Sequence, residues 1–386
     1  MTSGKAEAVA PPRCRPVSIT GLDVMTACGR GVPPLASAAF AGEPAFSSVS
    51  RFATDGRRAG HAAERKDAGS LFDELATVTQ NACEAAGLAA DARAEVPLLL
   101  AMSTDPAVAW PPGTARAAHG AGATAAELAR RCGLAEATRA YTTACVAAST
   151  AVIDAAVMIG TGRAERVLVA AGYLVDPNRF ALFDAGRALA LDGRQRPFDA
   201  GRGGMLLGDA AVAVLLESEA AAARRGAQVL ARLTGWGRSG DAYHVTQPRP
   251  DGAGQARAIT TALQRAGRTP ADLGYVNAHG TGTPASDRAE SVGLRRALGV
   301  HADVVPVSSS KSVHGHTLEA SALVELVVTT ETIRQGRLPV NAGLLTPADG
   351  CPGGLVDQPR SREVTSALTV NFAFGGANTA LLVEAA

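Results

Sequence analysis

Tyr141–Ile159, YTTACVAASTAVIDAAVMI, places one cysteine at the point where a polar, β-prone run gives way to a helix of small residues. Thr142 and Thr143 favour an extended backbone, and the residues after Cys145 are almost all apolar, so we expect their helix to be buried nearly all round. A thiol at a helix N-terminus lies near unpaired N–H groups and the positive end of the helix dipole, which favour the thiolate. Cys145 is therefore a candidate nucleophile, although a buried free cysteine is more often an inert small hydrophobe.

Composition limits the classes of protein to which the chain can belong. Its 386 residues, 47% of them hydrophobic, are enough to fill one large core or two fused cores. With 37 Lys and Arg against 36 Asp and Glu, the net charge of +1 gives no electrostatic reason to expect nucleic acid or an anionic membrane as a partner. No apolar run reaches the ~18 residues of a membrane span, and no signal pattern opens the chain. We therefore predict a cytoplasmic protein.

The six cysteines show no pattern typical of a zinc site or a disulfide framework. They stand at positions 14, 28, 83, 132, 145 and 351, without a CxxC pair. Isolated cysteines of this kind favour a reducing compartment, in agreement with the cytoplasmic prediction.

Strand and helix patterns alternate along the chain in two successive series, which predicts a layered α/β fold. Residues 1–15 lack periodicity and are predicted to be a disordered leader; residues 16–225 form the first half and residues 226–386 the second. In the first half we predict strands at Pro16–Asp23, Val96–Met102, Arg166–Gly172 and Ala211–Leu216, with helices at Leu71–Gly87 and Ala125–Cys132. In the second half we predict strands at Val229–Trp236, Tyr275–Asn277, Val304–Val307, Ser366–Asn371 and Thr379–Val383, with helices at Gln255–Ala266, Asp287–Ala297 and Thr317–Arg334.

Asn277–Asp287, NAHGTGTPASD, follows a predicted strand and concentrates chemistry in one loop. His279 lies just beyond the strand end, where α/β enzymes usually place reactive groups, and glycines on both sides of Thr281 permit close approach of a ligand. The simpler alternative is a turn that contains a hydrogen-bonded histidine.

A second loop, SSSKSVHGHT over Ser308–Thr317, brings Lys311, His314 and His316 into one segment that opens a helix. The HxH pattern alone could indicate a metal site. Because no carboxylate or further His or Cys stands nearby at ligand spacing, we expect no metal.

Four motifs occur in a fixed order along the chain: TACVAAST, NAHGTGT, SSSKSVHGHT and NFAFGGANT. With RPFD at Arg196–Asp199 and DAYH at Asp241–His244, the sequence from Pro16 to Glu384 resembles a β-ketoacyl-ACP synthase (a ketosynthase) of the elongating Cys-His-His type, with a thiolase fold. Such proteins serve type II polyketide or fatty acid systems. Each motif is weak alone, but the four in family order are specific.

The resemblance implies a duplicated, thiolase-like α/β fold. Each half would contain a five-stranded sheet with its helices, and the halves would stack as five layers, α-β-α-β-α. It also implies a dimer formed through the sheet edges, either a homodimer or a heterodimer with a ketosynthase-like subunit.

The resemblance further implies a role for each reactive residue. Cys145 would accept an acyl group from acyl carrier protein, and His279 and His316 would stabilise the enolate that forms when a malonyl thioester loses carbon dioxide. Backbone N–H groups of Cys145 and Phe374 would form the oxyanion hole. No metal or cofactor is implied, since the acyl carrier protein supplies the phosphopantetheine arm.

Other residues are implied to support this set. Lys311 and its carboxylate partner Glu325 would hold the histidine loop, and Thr281 and Thr283 would support it. The aromatic ring of Phe374 would gate access to Cys145, while Gly375 and Gly376 would let the gate move. His314 is not the family histidine and is interpreted as structural.

The predicted activity is decarboxylative Claisen condensation of an acyl group on Cys145 with malonyl-ACP. Two alternatives stay open: a chain-length-factor-like subunit that only shapes its partner's cavity, and a related acyltransferase that uses the same cysteine. Retention of Cys145, His279 and His316 together argues against the first alternative.

Overall fold

The computed structural model describes residues 15–103 and 120–386. Apart from Arg15, the predicted leader over residues 1–15 lies outside the described residues. The strands are β1 (Val17–Thr26), β2 (Gly29–Arg30), β3 (Ser47–Ser48), β4 (His61–Ala62), β5 (Leu98–Ala101), β6 (Thr138–Tyr141), β7 (Arg166–Tyr173), β8 (Ala210–Ser218), β9 (Ala231–Gly240), β10 (Tyr275–Asn277), β11 (Val307–Ser308), β12 (Arg337–Leu338), β13 (Arg360–Ser361), β14 (Ser366–Phe372) and β15 (Ala377–Glu384).

The α-helices and 3-10 turns lie between these strands. The helices are α1 (Val32–Ala41), α2 (Leu71–Ala85), α3 (Ala90–Arg93), α4 (Ala121–Cys132), α5 (Ala147–Gly160), α6 (Pro177–Ala185), α7 (Glu219–Arg224), α8 (Ala253–Ala266), α9 (Pro284–Leu298), α10 (Lys311–His314) and α11 (Ser321–Gln335). The 3-10 turns are Ala144–Val146, Pro270–Asp272, Gly299–Asp303, Leu318–Ala320 and Phe374–Gly376.

The large sheet has eleven strands: two halves of five strands each, and the short β2, which pairs with β1 beside the main path. The order β6-β5-β7-β8-β1 continues as β9-β15-β14-β10-β11. A short antiparallel contact between β1 and β9, from Val17↔Leu233 to Ile19↔Ala231, joins the two halves. The predicted pair of five-stranded sheets is therefore present, and this ladder links them edge to edge.

Side chains on the two faces of these strands enter different cores, which produces five layers. Helices α2 and α4 pack on the outer face of the first half, and α8 and α9 pack on the outer face of the second. Helices α5 and α11 share one core with the inner faces of both halves. The predicted thiolase-like α-β-α-β-α architecture is confirmed.

Helix α5 is the buried helix that the sequence predicted after Cys145. Ala, Ser, Thr, Val and Ile fill its buried positions, while Asp154, Val157 and Met158 lie toward one less buried side. Small side chains let both sheets approach this helix closely. The first turn of α5 is thereby fixed between the two halves of the protein.

The predicted strand over Val304–Val307 is wrong in most of its length. A 3-10 turn occupies Gly299–Asp303, and strand pairing begins only at Val307. Val304 is 67% exposed, and Pro306 has no N–H to donate to a ladder. The apolar run Val304–Val307 therefore predicted a four-residue strand, but only its last residue, Val307, pairs with a neighbouring strand.

The helix predicted from Thr317 also begins later than expected. Its first turn, Leu318–Ala320, is 3-10, and the α-helix starts at Ser321. Leu318 has φ +44°, a left-handed conformation that interrupts regular helix geometry. Within the described ranges, none of the helices has both the length and the hydropathy that crossing a bilayer demands.

Gly237→Ala tests the close contact between β9 and α8. A Cβ atom at position 237 would lie 1.9 Å from the carbonyl oxygen of Ala258, so the helix must move away from the sheet. We expect the free energy of unfolding, measured by urea denaturation, to fall by about 1–3 kcal/mol. Gly240→Ala, in the same strand but with open space at its Cβ position, is the control. Equal stability of the two variants would contradict the packing argument.

Candidate active site

Cys145 sits in a strained turn between a strand and a buried helix. The 3-10 turn Ala144–Val146 leads directly into α5, and Ala144 has φ +49°. A left-handed alanine is costly and persists only where the surroundings enforce it. The turn places Cys145 at the N-terminal end of α5, as the sequence predicted, and the residue is partly exposed there.

The imidazole of His316 makes direct contact with the thiol. Nε2 of His316 lies 3.1 Å from Sγ of Cys145, and Nδ1 lies 2.8 Å from the hydroxyl of Ser321. A hydroxyl can donate or accept, so Ser321 can support either neutral tautomer of the ring. The contact makes His316 the side chain placed to exchange a proton with Cys145.

Backbone hydrogen bonds to the segment before β8 fix the position of His316. Its N–H donates to the carbonyl of Leu206 (2.6 Å), and its carbonyl accepts from the N–H of Gly208 (3.1 Å). A Cβ atom on Gly208 would lie 2.0 Å from the carbonyl oxygen of His314. Glycine at position 208 is therefore needed for this close approach.

His279 lies in the loop after β10 and faces His316. The two ring centroids are 5.5 Å apart, with the planes almost perpendicular at 86°. The N–H groups of His279 and Gly280 each donate to the carboxylate of Glu290, at 2.7 Å. This clamp from α9 fixes the loop, so the fold brings together Cys145 and both histidines.

Lys311 and Glu325 form an ion pair beneath the histidines, and both side chains are completely buried. The Lys311 ammonium also donates to the carbonyl of His279 (2.7 Å) and lies 3.3 Å from its Nδ1. Glu325 accepts a hydrogen bond from Asn371 Nδ2 at 2.7 Å. An ammonium group has no acceptor, so His279 Nδ1 must accept and the ring proton resides on Nε2.

Both catalytic candidates among the histidines are neutral. Burial, and then the charge of Lys311, hold the pKa values of His279 and His316 well below the ordinary value. The same two causes lower the pKa of His314 to about 3. His314 is buried, with Nε2 3.1 Å from the hydroxyl of Ser310, as its structural interpretation requires.

The expectation of a stabilised thiolate at Cys145 is wrong for the free protein. Burial, followed by the charge of Glu319, raises the pKa of the Cys145 thiol to about 12, and the opposing effect of Lys311 is smaller. Desolvation of the charged form is the largest cause, and it acts against the stabilisation expected from the helix N-terminus. Cys145 therefore rests as a neutral thiol, and a nucleophilic role would require a base to take its proton.

Phe374 lies at the surface beside this cluster. Its ring is 51% exposed and packs against Phe183 with ring centroids 6.1 Å apart. Gly375 and Gly376 follow with φ of +82° and +75°. Two hydrogen bonds, from Gly375 N–H to the Val245 carbonyl and from the Asp241 N–H to the Gly376 carbonyl, tie the segment to a neighbouring loop.

Thr281 and Thr283 shape the turn that leads from His279 into α9. Their hydroxyl oxygens are 2.9 Å apart, and Gly282 N–H donates to the Asp287 carboxylate at 3.1 Å. Within the described residues, no group of three or more His, Cys, Asp and Glu side chains could hold a metal ion.

Sequence reasoning missed several residues of the site. The clamp Glu290 accepts from the backbone of His279, the hydroxyl of Ser321 contacts the ring of His316, and the amide of Asn371 donates to the carboxylate of Glu325. Asp287 and Glu290 stand one turn apart on α9, and both are buried. Two acidic residues on the apolar face of a predicted helix were the available signal.

Comparison with known proteins agrees with this geometry. Residues 75–222 match the family described as "Beta-ketoacyl synthase, N-terminal domain", and residues 230–344 match "Beta-ketoacyl synthase, C-terminal domain". The chain is 40% identical over 254 residues to a 3-oxoacyl-[acyl-carrier-protein] synthase 2 of Vibrio harveyi. It is 38% identical over 248 residues to the tetracenomycin polyketide synthase ketoacyl synthase alpha subunit of Streptomyces glaucescens.

These matches cover 64% and 62% of the chain, and 61% and 58% of the two relatives. The matched part thus spans about three fifths of the length of the curated relatives. Among solved structures, "The ishigamide ketosynthase/chain length factor" aligns with a TM-score of 0.89 and 27% identity, over 97% of this chain and 100% of the other. A β-ketoacyl synthase from Burkholderia phymatum aligns with a TM-score of 0.87 and 26% identity, over 96% of this chain and 100% of the other.

Alkylation of Cys145 tests its raised pKa. Because only the thiolate reacts, the rate with iodoacetamide should be very low at pH 7 and rise about tenfold for each pH unit up to pH 10. The measurement is the mass of the Cys145 peptide after timed exposure, with a short unstructured cysteine peptide as the control. A rate that levels off below pH 8 would show that His316 already holds the thiol as an ion pair.

Glu290→Gln tests the carboxylate clamp on the His279 loop. Burial, and then Asp287, raise the pKa of Glu290 from its ordinary 4.5 to about 8. The folded protein therefore binds an extra proton between about pH 5 and 8, and stability present at low pH is lost as pH rises through 8. We expect the free energy of unfolding of the wild type to fall more over this range than that of Glu290→Gln.

Urea denaturation at intervals from pH 5 to pH 9 measures the difference. Glu165→Gln, which alters an exposed carboxylate paired with Arg224, is the control and should keep the wild-type slope. An identical slope for Glu290→Gln would mean that Glu290 is ionised across the whole range.

Proposed function

Because the chain belongs to the β-ketoacyl synthase family, we propose that it is a β-ketoacyl-ACP synthase that elongates an acyl group in polyketide or fatty acid synthesis. The reaction is a decarboxylative Claisen condensation of acyl-Cys145 with malonyl-ACP. The observation that carries the proposal is the contact of 3.1 Å between His316 Nε2 and Cys145 Sγ, with the ring of His279 opposite.

In the first half-reaction, Sγ of Cys145 attacks the thioester of acyl-ACP. His316 Nε2 takes the thiol proton as the bond from sulfur to the acyl carbon forms, which avoids a free thiolate in a buried site. The bond between the carrier sulfur and the acyl carbon breaks, and the proton passes to the departing carrier thiol. For this step His316 carries its proton on Nδ1, with the Ser321 hydroxyl as acceptor.

In the second half-reaction, malonyl-ACP loses carbon dioxide. The electrons of the broken carbon–carbon bond form an enolate, and its oxygen accepts hydrogen bonds from Nε2–H of His279 and of His316. For this step the His316 proton has moved from Nδ1 to Nε2, and the Ser321 hydroxyl donates to Nδ1. Lys311 keeps the His279 proton on Nε2 because its ammonium occupies the Nδ1 side. Both rings stay neutral donors, so no positive charge has to be buried to hold the enolate.

Condensation follows when the enolate carbon attacks the thioester on Cys145. We assign the oxyanion hole for this step to the N–H groups of Cys145 and Phe374. The intermediate collapses as the bond between the acyl carbon and the Cys145 sulfur breaks, and β-ketoacyl-ACP is the product. The thiolate takes its proton from Nε2–H of His316, and water replaces that proton. We propose that no cofactor is required, because the carrier protein supplies the phosphopantetheine arm.

Lys311, Glu325, Thr281 and Thr283 are proposed as supporting residues, and Phe374, Gly375 and Gly376 as a gate. The exposed ring of Phe374 and its two left-handed glycines support the gate, since glycine permits rearrangement at low cost. The complete set of Cys145, His279 and His316 disfavours the alternative of a silent chain-length-factor-like subunit. A thiolytic or simple acyltransfer reaction forms no enolate from malonyl-ACP, so it would not need the two N–H donors of His279 and His316.

The partners are proposed from the relatives. One solved relative is described as a type II PKS acyl-carrier protein in complex with its ketosynthase, and another as a ketosynthase/chain length factor. We propose an acyl carrier protein as substrate carrier, and a dimer with a second copy or with a ketosynthase-like subunit. Strand β6 ends the sheet path and could pair with such a partner. Halves at residues 16–225 and 226–386, and a cytoplasmic location, remain predictions.

His279→Ala and His316→Ala separate the two half-reactions. His279→Ala should still acylate at Cys145, because His316 is the ring that contacts the thiol, but should lose roughly 100–1,000-fold in decarboxylation. His316→Ala should slow both steps. Intact-mass analysis measures acylation, and labelled carbon dioxide release measures decarboxylation. His301→Ala, outside the site, is the control; normal decarboxylation by His279→Ala would refute the role of that ring.

A further inference from the structure

An ion pair that the proposed mechanism does not use lies beside the nucleophile. Glu319 is in the 3-10 turn Leu318–Ala320, three residues after His316, and is only 5% exposed. Its Oε1 lies 3.9 Å from Nη2 of Arg179 on α6. Burying a carboxylate is costly unless it is paired, so this pair needs a physical account.

The backbone places Glu319 close to Cys145. Leu318 has φ +44°, an unusual conformation for a large side chain, and it stands between His316 and Glu319. The turn Leu318–Ala320 packs against the turn Ala144–Val146 that carries the nucleophile. The charge of Glu319 is also the second largest influence, after burial, on the pKa of Cys145.

Arg179 is held in place from several sides. Its guanidinium lies 5.4 Å from the centre of the Tyr173 ring, and Nη1 lies 3.2 Å from Oδ2 of Asp176. Nη2 also donates to the hydroxyl of Ser103. With these contacts the guanidinium is fixed beside Glu319 instead of extending into solvent.

Helix α6 connects this pair to the gate. Phe183 follows Arg179 by one helical turn, and its ring packs against Phe374. Residues four apart lie on the same helix face. One face of α6 therefore carries Phe183 toward Phe374 and Arg179 toward Glu319.

We propose that the Arg179–Glu319 pair closes the acyl-chain site beside Cys145 and restricts the nucleophile to short acyl groups. The assignment rests on the proposed function and names its substrate class. A long alkyl chain would have to separate the two charges or cover them with hydrocarbon, and separation would leave the buried Glu319 carboxylate without its counter-ion, whereas Arg179 would keep Asp176. A short acyl group does not reach the pair.

The chemistry tested is acylation alone. The bond between Cys145 Sγ and the acyl carbon forms, the bond between the donor sulfur and the acyl carbon breaks, and the thiol proton ends on the donor sulfur. Acyl thioesters of N-acetylcysteamine serve as donors, so that carrier docking does not affect the result. A series from acetyl through butyryl, hexanoyl and octanoyl to dodecanoyl reports the length profile by intact mass.

The wild type should accept acetyl and butyryl groups and react with dodecanoyl at least tenfold more slowly. The double variant Arg179→Ala/Glu319→Ala should raise the dodecanoyl rate, relative to acetyl, at least tenfold. Removing both partners avoids the unpaired charge that either single variant would bury. Arg224→Ala/Glu165→Ala, which removes an exposed pair, is the matched control and should keep the wild-type profile.

If circular dichroism shows that the alanine double variant is unfolded, Arg179→Gln/Glu319→Gln replaces it, with the same expectation. A wild type that accepts dodecanoyl as fast as acetyl would overturn the proposal, and so would a double variant with an unchanged profile. Absence of acylation with every thioester would overturn the proposed function and this assignment together. Acylation with an unchanged length profile would overturn the assignment alone.

Discussion

A buried ammonium group holds the reactive part of this protein together. Lys311 is completely buried, pairs with the equally buried Glu325, and donates to the carbonyl of His279. Burying the Lys311 ammonium or the Glu325 carboxylate alone would destabilise the folded protein strongly, so the fold requires both members of the pair. The pair also sets the chemistry, because the ammonium fixes which nitrogen of His279 carries the proton.

Burial acts on the thiol and the imidazoles in opposite directions. It raises the pKa of Cys145 to about 12 and lowers the pKa values of His279 and His316, so neutral forms are favoured throughout. A neutral thiol in contact with a neutral imidazole can react if the proton moves as the new bond forms. The same neutrality leaves an N–H donor on each of the two buried rings for the enolate of the proposed reaction.

The layered fold makes this arrangement possible. Cys145 precedes a central helix buried by both sheets, and His316 precedes the other central helix, α11. Where the two halves of the protein meet, the backbone at Gly208 lies against the backbone of His314 and leaves no room for a side chain at position 208. Two residues with left-handed backbone conformations fix neighbouring side chains: Ala144 precedes Cys145, and Leu318 precedes Glu319. Packing around them outweighs the local cost of these conformations.

The sequence by itself determined the alternation of strands and helices in two series, the buried helix after Cys145, and the candidate site residues Cys145, His279, His316 and Lys311. These features are local, because apolar periodicity and short motifs are written in neighbouring residues. The sequence also predicted a strand over Val304–Val307 from its apolar residues. Val304 is exposed and Pro306 cannot donate a hydrogen bond, so pairing begins only at Val307.

Only the tertiary structure decided which side chains meet. Glu290 clamps the His279 loop, Ser321 faces the His316 ring, and Arg179 reaches Glu319 across 140 positions of sequence numbering. The sign of the pKa shift at Cys145 also depended on the fold, since the helix dipole is a local property whereas desolvation is imposed by every element packed around the thiol. Local sequence does not show which distant segments meet or how deeply they are buried, and these contacts decide the chemistry of this site.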